Sequence, residues 1–210
     1  MEIRICKPEN PDGHIVWIHE NDPADLWNLT KDIGITLIAV TDADWNRDLS
    51  PWKAERVFRG NDFGGMASDH LNELLKHLPQ IENSLGYPVT RRTIAGYSMA
   101  GLFALWSAHV TDCFDSVVSA SGSLWFDGFT DFMENHRILA DEVYLSLGDT
   151  EYRTKNPRMA KVEDCTRRCR EILEKQGISC TLEMNHGGHF TDPAGRLAKG
   201  IRWINQRSEK

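Results

Sequence analysis

The stretch TIAGYSMAGLFALW, Thr93 to Trp106, decides how this chain is read. It passes from a β-branched, apolar segment through Gly96-Tyr97-Ser98-Met99-Ala100-Gly101 into an unbroken apolar run. The pattern is a strand, a sharp turn and a buried helix. A serine on such a turn takes a strained backbone, and small residues on either side let strand and helix approach closely. The turn presents the hydroxyl at the carboxyl end of a sheet. It also aims the Met99 N–H at the same spot, where the helix N-terminus adds positive potential. Ser98 is therefore a candidate nucleophile, set against the plainer reading of a small residue at a tight turn.

Outward from this stretch, apolar segments alternate with helical patterns. Residues 14–20 (HIVWIHE), 35–40, 92–98, 115–121, 142–148 and 180–185 read as strands, short, rich in β-branched residues and apolar on both faces, as in a buried parallel sheet. EIRIC at 2–6 adds an edge strand. Helices are expected at PADLWNLTKD, at SDHLNELLKHLPQIENSL with its start at Ser68 and a face of Leu71, Leu74, Leu75 and Leu78, at GLFALWSAHV, at MAKVEDCTRRCREILEKQG and at PAGRLAKGIRWINQR. The alternation predicts an α/β fold with helices on both faces of a mostly parallel sheet. With 210 residues and no linker, it is expected to be one domain over 1–210. Two connections break the rhythm, 41–66 and the aromatic-rich 124–138. Both are expected to be irregular, and neither is long enough to form an independent lid domain.

Bulk properties narrow the function classes. The chain is 40% apolar and 26% charged, with a net charge of −7. An acidic balance argues against nucleic acid or an anionic membrane as partner, since both need a basic surface. Arg167, Arg168 and Arg170 lie among acids on a helix rather than in a basic patch. The N-terminal MEIRICKPEN lacks the apolar core of a signal peptide, and no run of about 18 apolar residues marks a membrane span. Five scattered cysteines without a secretion signal imply reduced thiols in a cytoplasm. Cys165 and Cys169 could share a helix face, but no second pair completes a metal site. No metal or cofactor is expected, and the oligomeric state is not written in the sequence.

A serine hydroxyl needs a base. In a sheet of this kind the partners follow in chain order, acid then histidine, just past the ends of later strands. After EVYLSLG come Asp149-Thr150-Glu151, and after CTLEMN come His186-Gly187-Gly188-His189-Phe190. His189 is favoured over His186, because the Gly-Gly pair can carry it over the sheet edge. Glu151 is favoured as the acid by its distance past the strand, with Asp149 as the alternative.

GYSMAG at 96–101, SASGSLW at 119–125, YLSLGDTEYRTKNPRMAKV at 144–162 and Gly187-Gly188-His189 together resemble the putative-esterase family of α/β-hydrolases, which includes enterochelin-type siderophore esterases, feruloyl esterases, S-formylglutathione hydrolase and mycolyltransferases. RDLSPW at 47–52 and NDFGG at 61–65 look like a substrate-side loop of that family. The resemblance runs from about His14 to Trp203 and implies an α/β-hydrolase fold, nucleophile Ser98, base His189 and an acid within GDTE, again pointing to Glu151. It implies a serine esterase acting on carboxylic esters, siderophore or aryl esters among them. Acyl transfer, thioester hydrolysis or a degenerate binding module are the alternatives.

The resemblance also implies two oxyanion donors. One is the Met99 N–H. The other comes from the loop after the first central strand, where the family often has His-Gly and this chain has His19-Glu20-Asn21. The Asn21 N–H is the candidate there. Trp125 is the aromatic favoured to line a substrate pocket, among Trp45, Trp52, Phe63 and Phe126, which could equally staple their loops to the body. Arg47 is a candidate for an anionic substrate group, against an ion-paired surface role. His19 reads as a structural histidine before it reads as a substrate contact.

Overall fold

The computed structural model describes residues 1–57 and 59–207. Phe58, inside the 41–66 connection, and residues 208–210, at the end of the expected domain, lie outside the described residues. In chain order the strands are β1 (Ile3–Cys6), β2 (His14–His19), β3 (Thr36–Val40), β4 (Lys53–Ala54), β5 (Phe63–Gly64), β6 (Arg91–Tyr97), β7 (Ser116–Ala120), β8 (Glu142–Gly148) and β9 (Ser179–Asn185). The helices are α1 (Ala24–Thr30), α2 (Trp45–Asp48), α3 (Ala67–Leu85), α4 (Met99–Val110), α5 (Phe129–Asn135), α6 (Val162–Lys175) and α7 (Pro193–Arg207).

Seven strands form one sheet in the order β1-β3-β2-β6-β7-β8-β9. Only β1 runs antiparallel to its neighbour; the other pairs are parallel. From β2 the chain adds β3 on one side, then crosses over to lay β6 on the other and continues to β9. That reversal opens a crevice at the carboxyl ends of β2 and β6, the place where open α/β sheets hold ligands. Ser98 follows β6 directly.

Period-two alternation along the central strands feeds two cores. Ile15, Trp17, Ile38, Ile94, Val117 and Leu145 face one side and pack with α3, α4 and α6. Val16, Ile18, Leu37, Ala95, Val118 and Tyr144 face the other, against Leu26 of α1 and Leu197, Ile201 and Ile204 of α7. Each such side chain, fully buried, contributes roughly 1.5–3 kcal/mol. Helices on both faces are why these strands read as near-continuous apolar runs. Helix α4 is buried from Met99 to His109, which pins the first turn after Ser98.

The expected elements at 142–148 and 193–207 coincide with β8 and α7, and the other expected strands are displaced by one residue or so at an end. Three details differ. Helix α3 begins at Ala67 rather than Ser68, with no side-chain cap, and Leu75 on its expected buried face is half-buried. Strand β9 is an edge strand and only partly buried, because among the described residues no strand lies beyond it. The two connections expected to be irregular contain short elements. Residues 41–66 hold α2, whose N-cap Asp44 accepts from the Arg47 N–H at 3.0 Å, and the β4–β5 hairpin; residues 124–138 hold α5. Elements of two to seven residues are too short to show a period. Among the described residues no helix is long and apolar enough to cross a membrane.

Candidate active site

Ser98 sits between β6 and α4 with φ 57° and ψ −122°, a conformation that costs a non-glycine residue on the order of 1–3 kcal/mol. Its surroundings hold it there. The Ser98 N–H donates to the Ala120 carbonyl at 3.2 Å, and its own carbonyl accepts from the Ser123 N–H at 2.9 Å and the Leu102 N–H at 3.1 Å. Gly96 makes the turn possible, because a Cβ there would overlap the Ala100 carbonyl in the first turn of α4. Among the described residues the non-glycine positions with positive φ are Ser98, Ser121 and Asp192. Ser98 and Ser121 follow β6 and β7 directly and Asp192 precedes α7, so backbone strain collects at the carboxyl end of the sheet.

His189 Nε2 lies 3.0 Å from Ser98 Oγ, and His189 Nδ1 lies 2.7 Å from Glu151 Oε2. The carboxylate accepts only, so Nδ1 carries the proton in the neutral imidazole and Nε2 is left to accept from the Ser98 hydroxyl. The Glu151 side chain is 2% exposed and that of His189 25%. Glu151 Oε1 accepts from the Ser121 hydroxyl at 2.7 Å, the Gly148 N–H at 2.7 Å and Arg196 Nη1 at 2.8 Å. Burial pushes the Glu151 carboxyl up, but hydrogen bonds from His189, Ser121 and the Gly148 N–H outweigh it and hold it below the usual glutamate value.

Asp149, the alternative acid, points elsewhere. It accepts from the Gly187 N–H at 2.8 Å and lies 3.5 Å from Nδ1 of the exposed His186. Those contacts pin the base of the histidine loop. The rest of that loop is held by the Tyr97 hydroxyl, which donates to the His189 carbonyl at 2.5 Å, and by Arg196 Nη2, which donates to the carbonyls of His186 and Gly188 at 3.0 Å each.

Arg196 escaped the sequence reading. An arginine in an amphipathic helix passes for a solvent-facing residue. The available signal was its register: Arg196, Gly200 and Ile204 recur every four residues on the buried face of α7. Ser121 and Tyr97 were also not singled out, since a hydroxyl beside a strand end is unremarkable in sequence.

Ser98, Ser121, Ser123, Trp125, Glu151, Met159, Val162 and His189 line a small cavity of about 30 Å³. That is room for a small group rather than for a long chain. Ser123 Oγ stands 3.4 Å from Ser98 Oγ. Met99 is the first residue of α4, a position whose N–H has no intrahelical acceptor. The Asn21 N–H, by contrast, donates to Glu20 Oε1 at 3.1 Å, and the Glu20 N–H donates to the Val40 carbonyl at 3.1 Å. Burial raises the Glu20 carboxyl, with partial compensation from the Asn21 and Asp22 N–H groups.

Trp125 lines the cavity; the other named aromatics do not. Trp52 donates its indole N–H to the Asp127 carbonyl at 2.9 Å and packs on Phe126, and Phe63 packs on Phe126, so these rings staple the two long connections together. Arg47 lies apart from the cavity. Its guanidinium is paired with Asp48 at 2.7 Å, and it borders a separate groove with Met1, Asp42 and His70. The path of the 41–66 connection carries it there. His19 is buried, with Nε2 2.9 Å from His70 Nε2, in a structural setting. Among the described residues no three His, Cys, Asp or Glu side chains are grouped to hold a metal ion.

The family model for putative esterases matches residues 35–190, more than half of the chain. The chain belongs to the putative-esterase family. By family it is a carboxylic ester hydrolase. Solved structures share its fold. An IroE-like serine hydrolase from Shewanella oneidensis superposes with a TM-score of 0.81 at 16% identity, covering 97% of this chain and 75% of that one. The siderophore hydrolase EstA from Aspergillus nidulans gives 0.75 at 18% identity, covering 98% and 90%. The enterobactin esterase FES from Shigella flexneri gives 0.67 at 15% identity, covering 98% and 55%. At such identities the likeness shows the α/β-hydrolase fold. No curated protein matches the sequence.

Proposed function

We propose that the chain hydrolyses carboxylic esters through an acyl-enzyme on Ser98. One observation carries this: the unbroken hydrogen-bonded line from Glu151 through His189 to a strained Ser98, at 2.7 and 3.0 Å. Ser98 Oγ attacks the ester carbonyl while His189 Nε2 takes its proton. Glu151 holds the tautomer and stabilises the imidazolium. The Met99 N–H donates to the developing oxyanion; such a donor is typically worth about 3 kcal/mol of transition-state stabilisation. The imidazolium then protonates the leaving alcohol, and water, activated by the same histidine, releases the acid.

The Asn21 N–H serves as second donor once the Glu20 carboxylate moves off it. That pairing with Glu20 is also the observation favouring the second reading, a degenerate fold that binds without turnover.

The small size of the cavity beside Ser98 supports esters presented from solvent over long buried acyl chains. Siderophore hydrolases among the structures of like fold support esters of that kind, including aryl esters, as the substrate class. The test is a panel of p-nitrophenyl and aryl esters with wild type and Ser98→Ala. Turnover by wild type, with loss in a folded Ser98→Ala, is expected. Undiminished turnover in Ser98→Ala overturns the reading.

A further inference from the structure

Arg196 is the most completely engaged side chain near Ser98, and ester hydrolysis as set out above gives it no part. Its guanidinium is 2% exposed. Nη1 donates to Glu151 Oε1 at 2.8 Å, to Ser121 Oγ at 3.0 Å and to the Tyr97 hydroxyl oxygen at 3.3 Å; Nη2 donates to the carbonyls of His186 and Gly188. The backbone is shaped to admit it. A Cβ on Gly148 would stand 2.9 Å from both Nη atoms. Arg196 lies beyond residues 35–190, so the family match says nothing about it.

We propose that Arg196 is a positioning residue that fixes the orientation and charge of Glu151, and through Glu151 sets the basicity of His189. This rests on the reading of Ser98, His189 and Glu151 as the reacting set. The two carboxylate oxygens of Glu151 are divided between partners: Oε2 faces His189, and Oε1 faces the guanidinium. A carboxylate that shares its charge with a buried cation stabilises an imidazolium less than a carboxylate facing it alone. Arg196 thereby limits how strongly Glu151 holds the proton that His189 takes from the serine. The same side chain ties the acid loop to the histidine loop, so both move together.

The other titratable groups around the set are accounted for. Tyr97 from β6 spends its proton on the His189 carbonyl. Asp149 and His186 pair with each other on the exposed side of their loops. Asp192 accepts the Gly195 N–H at the start of α7. Of the charged side chains named here, Arg196 alone is hydrogen-bonded to the carboxylate that faces His189.

The test is the pH dependence of kcat/KM on a short p-nitrophenyl ester, read over the pH range in which circular dichroism shows each variant folded, where the acidic limb reports His189. Arg196→Met removes the cation and should move that limb up by about one pH unit. A second variant avoids stripping every contact: Arg196→Gln keeps hydrogen-bond donors beside Glu151 and the loop carbonyls but removes the cation. Its limb should likewise lie about one unit above that of wild type. An arginine that merely braces the loops would lower rates and leave the limbs where they are; an acidic limb coinciding with that of wild type in whichever of the two Arg196 variants folds overturns the proposal. Retained hydrolysis in Ser98→Ala would instead overturn the reading of the reacting set, so the two failures are distinguishable.

Discussion

Three side chains from three loops meet at Ser98, and each was reachable from sequence for a physical reason. A serine between glycines at a strand-to-helix turn needs a strained backbone, and the chain order of acid and histidine follows from the order of strands in the sheet. The distance past β8 favours Glu151 over Asp149, and the fold sets Glu151 rather than Asp149 against His189 Nδ1. Glu151→Gln should lower kcat on a p-nitrophenyl ester by on the order of a thousandfold, while Asp149→Asn stays within about threefold of wild type. Comparable losses in the two variants would leave the acid unassigned to either. Glu20 makes a separate prediction. Its carboxylate takes the Asn21 N–H, so Glu20→Gly should free that donor and raise kcat by roughly three- to tenfold; an unchanged or reduced kcat would remove Asn21 from the oxyanion site. Arg47 shows the limit of reading residues one at a time. Its charge was visible, but its pairing with Asp48 in a separate groove depends on the path of a long connection.

At the scale of elements, the strands of the central sheet were legible because burial on both faces writes itself as runs of Val, Ile, Leu and Ala. Helix α7 was legible from its amphipathic period, but the meaning of Arg196 on its buried face was not, since the partner Glu151 arrives from a loop far away in sequence. The two-residue strands β4 and β5 and the short helices α2 and α5 left no periodic trace. The β6–α4 junction is the element on which the site depends. Gly96→Ala would drive a methyl into the Ala100 carbonyl, so strand and helix must part. Overpacking of this kind costs about 3 kcal/mol, which should lower Tm by roughly 5–10 °C and abolish ester turnover. An alanine variant with wild-type Tm and activity would show that the close approach does not matter.

For the molecule as a whole, pH acts through buried histidines. Burial holds His19 down at about 3 and His109 down at about 4, against an ordinary 6.5. Between those values and 6.5 the unfolded chain binds protons that the folded chain refuses. Stability is therefore full above pH 6.5 and falls as pH drops, by up to about 1.4 kcal/mol per pH unit for each histidine. Glu151, held below its ordinary 4.5, adds stability that is lost only at lower pH. Thermal melts should show Tm level above pH 7 and declining between pH 6.5 and 4.5; a flat profile across that range would contradict the burial of these histidines in neutral form. The sheet order that creates the crevice at β2 and β6 also places Ser98 in it, and the whole fold converges on that one hydroxyl. Its activation is tested most directly by mass spectrometry of the intact protein after reaction with a fluorophosphonate. A single adduct on Ser98, lost in Ser98→Ala and strongly slowed in His189→Ala, is the predicted result. A protein that stays unlabelled, or is labelled equally well without His189, would contradict it.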